Sequence, residues 1–190
     1  MAEKTAHLTL TGGALRFEAM LGSGHSIVLD DRAGDTGVTP AEIVVAALAG
    51  CTGMDVISIL RKKRQEVSGY AIEARGEQME EHPHAYTRID VTHVVTGPAI
   101  DTDAVRRAIE LSATKYCSVG ATISSGSTTV HHAYRVLAAD AGRGDPDDRV
   151  GGPARSAGRC ELELLDGRPP PPRIVATRAA ADPGEGASTA

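Results

Sequence analysis

Aromatic side chains are scarce in this chain of 190 residues: four Tyr, one Phe and no Trp, 3% in all. A core built on large rings is excluded, so Val, Ile, Leu and Ala must supply it from an apolar content of 41%. Cationic excess is missing too. Twenty Lys and Arg stand against 25 Asp and Glu, a net charge of −5, which argues against nucleic acid as a partner. Residues 1–11 alternate polar and apolar side chains without a continuous apolar block, so no signal peptide is expected. The longest apolar run, Ile43 to Leu60, is broken by Asp55 and carries two glycines and two hydroxyls. These interruptions weigh against reading it as a membrane span, and no membrane partner is expected. Three cysteines without a leader point to a reducing compartment rather than a disulfide framework, which makes the cytoplasm the expected location.

What is present is a clear succession of periods. Ala6, Leu8 and Leu10 alternate with polar neighbours, predicting a strand over 5–11; Leu15, Phe17 and Ala19 predict a second, and His25 to Leu29 a third. Residues 31–38 have no period and read as a loop. Thr39 as N-cap, Pro40 at the first helical position and Glu42 three residues after the cap open a long helix, which Arg61 to Arg64 close. Its side chains are so uniformly apolar or small that it should be surrounded on all sides, with Gly50 and Gly53 admitting another backbone. Strands are predicted over 68–79, through Ile89, Val91 and Val95, and again from Val130 to Val136. Between the last two lies a helix capped by Asp101 or Thr102 that ends near Tyr116-Cys117, with Gly120 and the Ser-rich 124–128 segment breaking it. Strands and helices that do not alternate regularly indicate α+β. The folded domain is expected over 1–137, and 138–190 is expected to be a disordered tail rich in Gly, Pro, Arg and Ala, in which Cys160 is incidental.

Cys51 in the long helix and Cys117 near the end of the second are the candidate site. A buried helical thiol is by default inert packing. Two of them, one per helix, are also the arrangement of a peroxide-reactive thiol and its resolving partner. Asp55 lies one turn beyond Cys51 and reads as a hydrogen-bonded buried polar group. No metal is expected: His82-Pro83-His84 and His131-His132 are close in sequence, but neighbouring strand residues face opposite sides. No cofactor is expected.

The stretch Thr39-Pro40-Ala41-Glu42-Ile43, followed by Ala46-Ala47-Leu48-Ala49-Gly50-Cys51-Thr52 and later Lys115-Tyr116-Cys117-Ser118, resembles the OsmC/Ohr superfamily. Met54 to Gln65, Glu81-His82-Pro83 and Ala108 to Ser112 are similar to its subgroup of small OsmC-like proteins. The resemblance implies an OsmC-like fold, in which two-layer sheets wrap long central helices in an intertwined homodimer. It also implies a thiol peroxidase acting on organic hydroperoxides, with Cys51 the peroxidatic thiol and Cys117 the resolving one, recycled by a dithiol or a lipoylated protein. Hydroperoxide-reducing members place a glutamate ten residues before the first cysteine, paired with an arginine from the early hairpins. Here that position is Ala41, with Glu42 beside it and Arg16 in the hairpin region. The alternative is an OsmC-like protein without peroxidase activity that binds a small apolar ligand in the dimer cleft, against Ile43, Ala47 and Leu48.

Overall fold

The computed structural model describes residues 3–12 and 15–139. Cys160 and the expected tail from residue 140 onward lie outside the described residues, as does Gly13 of the first turn. Among the described residues, six strands and three α-helices give an α+β architecture with two three-stranded sheets. The described residues fall into two compact units, divided between Ala47 and Leu48.

In the first unit β1 (Ala6–Gly12), β2 (Arg16–Leu21) and β3 (Ser26–Leu29) form an antiparallel meander. Leu8 stands opposite Ala19, Leu10 opposite Phe17, and Phe17 opposite Leu29. The alternation in the sequence thus becomes one apolar face. Leu8 and Leu10 on it nevertheless remain 46% and 57% exposed, so this sheet face is not covered by its own unit. The aperiodic loop after β3 is organised by buried Asp30. Its carboxylate accepts the Asp31 N–H at 2.9 Å, the Thr36 N–H at 3.3 Å and the Thr36 hydroxyl. That hydroxyl, more than any other neighbour, holds the Asp30 carboxyl below its ordinary range. Arg16 donates to Thr36 at 3.1 Å and also to Thr11, so its guanidinium is bound to the loop and the hairpin.

Helix α1 (Pro40–Lys62) begins with the capping box read from the sequence. The Thr39 N–H and hydroxyl both donate to Glu42 Oε2 at 2.8 Å, and the Glu42 N–H donates back to Thr39 Oγ1 at 3.3 Å. Glu42 is therefore a cap partner. The expectation that α1 is surrounded on all sides is not met within one chain. Leu48, Thr52, Val56 and Leu60, four apart, form its buried stripe together with Gly53, while Met54 is 74% exposed. One sheet and one helix cover only one side of a cylinder. Gly50 likewise has open space where a Cβ would stand, and Gly53 accommodates the Ile72 side chain rather than a backbone.

The second unit carries the main core. β4 (Gly69–Gln78) pairs antiparallel with β5 (Tyr86–Gly97), and β6 (Thr129–Ala138) joins β5 in parallel. A parallel pair needs a long crossover. Here it consists of α2 (Thr102–Leu111), a π-helical turn (Ser112–Tyr116) and α3 (Ser118–Ser124). Asp101 caps α2 by accepting the Asp103 N–H at 2.9 Å. Along β5, Ile89, Val91, His93 and Val95 alternate inward, matched by Val130, His132 and Tyr134 of β6. Val56 and Leu60 of α1 pack with Val105, Ala108 and Ile109 of α2 on Val95 and Tyr134. The second helix ends at Leu111, earlier than the sequence predicts. Gly120 does not break a helix but lies inside α3, where its missing Cβ leaves room for the Cys117 sulfur and Leu48.

Candidate functional site

Helix α1 brings Cys51, Thr52 and Asp55 to the crossover because residues four apart share a helical face. The crossover answers with Ser112 and Cys117, and the π turn sets their relation. The Cys117 N–H donates to the Ser112 carbonyl at 2.9 Å, a bond closed over five residues. One wide turn thus rotates Cys117 out of the α2 register and makes it the N-cap of α3, where its sulfur accepts the Gly120 N–H at 3.2 Å. Such single π turns are frequent at functional sites.

The two thiols, far apart along the chain, come together. Cys51 Sγ, Cys117 Sγ and an Asp55 carboxylate oxygen all lie within 4.8 Å of one another, and both cysteines are free. Cys117 is buried and Cys51 is partly open. A polar relay backs the carboxylate: the Ser112 hydroxyl donates to Asp55 Oδ2 at 2.9 Å, and Thr52 Oγ1 meets Ser112 Oγ at 3.0 Å. Asp55 is hydrogen-bonded as expected from the sequence, but half-buried rather than buried. Burial foremost, then the hydrogen bond with Cys51, pushes the Cys117 thiol up to about 12; the Gly120 N–H pulls the other way, and the charges of Cys51 and Asp55 add to the rise. No cation enters among these influences.

Ser112 and Thr52 were not singled out by sequence reasoning, since a lone Ser and Thr amid small residues give no signal. Their part is testable. Both are fully buried, so Ser112→Ala leaves Thr52 and Asp55 short of a partner and should cost about 1–3 kcal/mol. Urea unfolding at neutral pH measures it; a change within a few tenths of a kcal/mol would deny the relay its role.

A second polar set crosses the sheet of β4, β5 and β6. Tyr70 Oη meets His93 Nδ1 at 2.7 Å, and His93 Nε2 meets His132 Nδ1 at 3.2 Å, with both histidines buried. Burial drives the His93 pKa well below 6.5 and that of His132 to about 4, with His132 and His131 respectively adding repulsion. A neutral chain satisfies this geometry: Tyr70 O–H donates to His93, and His93 Nε2–H donates to His132. Of the two histidine pairs, His131 and His132 separate as expected, since His132 points inward and joins His93 while His131 does not share its burial; His82 and His84 do not, because they lie in the turn between β4 and β5 with ring centroids 4.2 Å apart.

The fold on which these thiols meet has counterparts among known proteins. The family model described as OsmC-like protein matches residues 33–132. Protein YhfA of Escherichia coli (strain K12) is 40% identical over 125 residues, covering 66% of this chain and 92% of that one. The crystal structure of a hypothetical protein from Aquifex aeolicus VF5 is 31% identical with a TM-score of 0.66, covering 74% of this chain and 100% of that one. An organic hydroperoxide resistance protein OsmC from Legionella pneumophila shares the fold, with a TM-score of 0.53 at 9% identity over 70% of this chain and 97% of that one. The chain belongs to the OsmC-like protein family.

Proposed function

We propose that the protein is a thiol-dependent peroxidase that reduces organic hydroperoxides through Cys51 and Cys117. The observation that carries this is the meeting of the two sulfurs within 4.8 Å, one partly open and the other buried behind it. The partial exposure of Cys51 and the burial of Cys117 support a division of roles. Cys51, as thiolate, attacks the terminal hydroperoxide oxygen and breaks the O–O bond. The alkoxide leaves as an alcohol after taking a proton, and Cys51 is left as a sulfenic acid. Cys117 sulfur then attacks the Cys51 sulfur, its proton leaves with the hydroxyl as water, and a disulfide forms. A dithiol returns both cysteines to thiols by two exchange steps. A small dithiol or a lipoylated protein is the reductant class, and the cytoplasm, which keeps thiols reduced, is the fitting compartment.

The working unit is proposed to be a homodimer. Leu8, Leu10, Leu15, Met20, Val44 and Met54 are all exposed large apolar side chains in one chain, and a second copy of the chain would cover them. Ala41 at the family's glutamate position and Glu42 bound to Thr39 leave the attacking thiol without that family device. Ligand binding without peroxidase activity has an observation of its own. Leu8, Leu15, Phe17, Leu29 and Pro40 line a cavity of about 440 Å³, a wall other than the one formed by Ile43, Ala47 and Leu48.

Steady-state consumption of cumene hydroperoxide with dihydrolipoamide as reductant tests the proposal. Turnover that requires the dithiol and fails with a monothiol is expected. No consumption, with both thiols still titratable, would overturn the peroxidase; saturable binding of an apolar ligand under the same conditions would support the alternative.

A further inference from the structure

We infer that Cys51, Cys117 and Asp55 form a three-ligand site for a thiophilic divalent cation of zinc's type. The three donor atoms converge from two elements, lie within 4.8 Å of one another and belong to residues that are buried or half-buried. Tetrahedral zinc, with Zn–S near 2.3 Å and Zn–O near 2.1 Å, sets its donors roughly 3.5–3.8 Å apart. Modest side-chain rotation closes the difference. Two thiolates and one carboxylate are a donor set that a borderline-soft cation prefers over magnesium or calcium, which seek oxygen alone. Three protein ligands leave a fourth position for water or an incoming ligand.

The surroundings are those that hold metal ligands in place. The Ser112 hydroxyl donates to one Asp55 oxygen, Oδ2, at 2.9 Å and orients the carboxylate, and Thr52 steadies Ser112 in turn. The Gly120 N–H donates to the Cys117 sulfur at 3.2 Å, a bond that favours the thiolate a metal requires. Cys51 and Asp55 are four apart on one helix, so the site's geometry is anchored on a rigid element, with the crossover supplying the third ligand. A cation at the centre also offsets the negative charge of Asp55 and two thiolates, which no described basic group does among the influences on Cys117. Metal and hydroperoxide compete for the same sulfur electron pairs, so occupancy should suppress thiol oxidation.

The site does not rest on peroxidase activity, and its test reads binding directly. The full-length chain in a Cys160→Ser background, reduced and freed of metal, is titrated with zinc against a chromophoric chelator, and with cobalt for its absorption spectrum. One zinc per chain with micromolar or tighter affinity is expected, and cobalt should give thiolate charge-transfer and intense tetrahedral d–d bands. Cys51→Ser or Cys117→Ser should lower the thiolate charge-transfer absorption by about half or more and weaken zinc more than Asp55→Asn does. Asp55→Asn, which preserves volume and both thiols, should weaken it about tenfold to a hundredfold. Each variant is compared only after circular dichroism confirms its fold. Zinc binding that survives replacement of both cysteines, or no binding by the folded parent at micromolar zinc, overturns the site. Metal-free protein that consumes hydroperoxide yet binds no zinc removes the metal site alone. Protein that binds zinc yet resists hydroperoxide keeps the site and removes the peroxidase.

Discussion

Cys51→Ser, in the Cys160→Ser background, should lower hydroperoxide consumption by at least about a thousandfold, the scale of losing a nucleophile. Cys117→Ser should behave differently: one equivalent consumed, then arrest. The difference follows from atom balance. The hydroperoxide oxygen passes to Cys51 sulfur, and only a second thiol within reach can expel it as water. Without Cys117 the oxygen stays as a sulfenic acid, which a cyclic diketone such as dimedone traps as a stable adduct. A serine hydroxyl is close in size to a thiol, so neither change should unfold the chain. The sulfurs lie within 4.8 Å, so the disulfide step needs side-chain rotation rather than rearrangement of the core. Equal loss in both variants without an adduct in Cys117→Ser would deny the division of roles.

The order of strands and helices was legible because each element shows its own period, and the Thr39–Glu42 box marked the start of α1 to the residue. The pairing of Cys51 with Cys117 was legible as one of two readings of paired helical thiols, and the resemblance to a family favoured it over inert packing. No local pattern announces a π turn. The wide turn at Ser112–Tyr116 shifts Cys117 out of the α2 register, and Cys117 then caps α3. Periodicity therefore extended the second helix to Cys117 and took Gly120 as its breaker, whereas Cys117 opens a new short helix containing that glycine. Uniform hydrophobicity of α1 gave no hint of which side a single chain covers. Cys51 and Asp55 share one helical face, but Cys117 lies in a segment whose direction the sequence does not disclose, so their convergence has no sequence signature.

Acid should destabilise the fold before it touches most carboxylates. His93 and His132 are held neutral within the sheet, and Tyr70, His93 and His131 around them offer no compensating negative charge. Their folded-state pKa values lie below the ordinary 6.5, so the unfolded chain takes up protons first as pH falls. Stability is complete above about pH 6.5 and is lost progressively below it. For His132 the loss continues to its folded value of about 4, and at about 1.4 kcal/mol per pKa unit it reaches about 3 kcal/mol. His93 adds to it in the same direction. Against a typical total of about 5–15 kcal/mol this is a large share. Urea unfolding at about pH 7.5 and about pH 5 should show a drop of about 2 kcal/mol from His132 alone. His132→Asn, whose amide oxygen can accept from His93 where Nδ1 did, should remove that part of the pH dependence. An unchanged slope in the variant would place the acid sensitivity elsewhere.

One equivalent of cumene hydroperoxide added to the reduced full-length protein, followed by intact-mass measurement and peptide mapping under non-reducing conditions, puts the thiol pair to its plainest test. The chain should lose two hydrogens and yield a single cross-linked peptide joining Cys51 to Cys117. Two untouched thiols, or a bridge from either one to Cys160 instead, would contradict it.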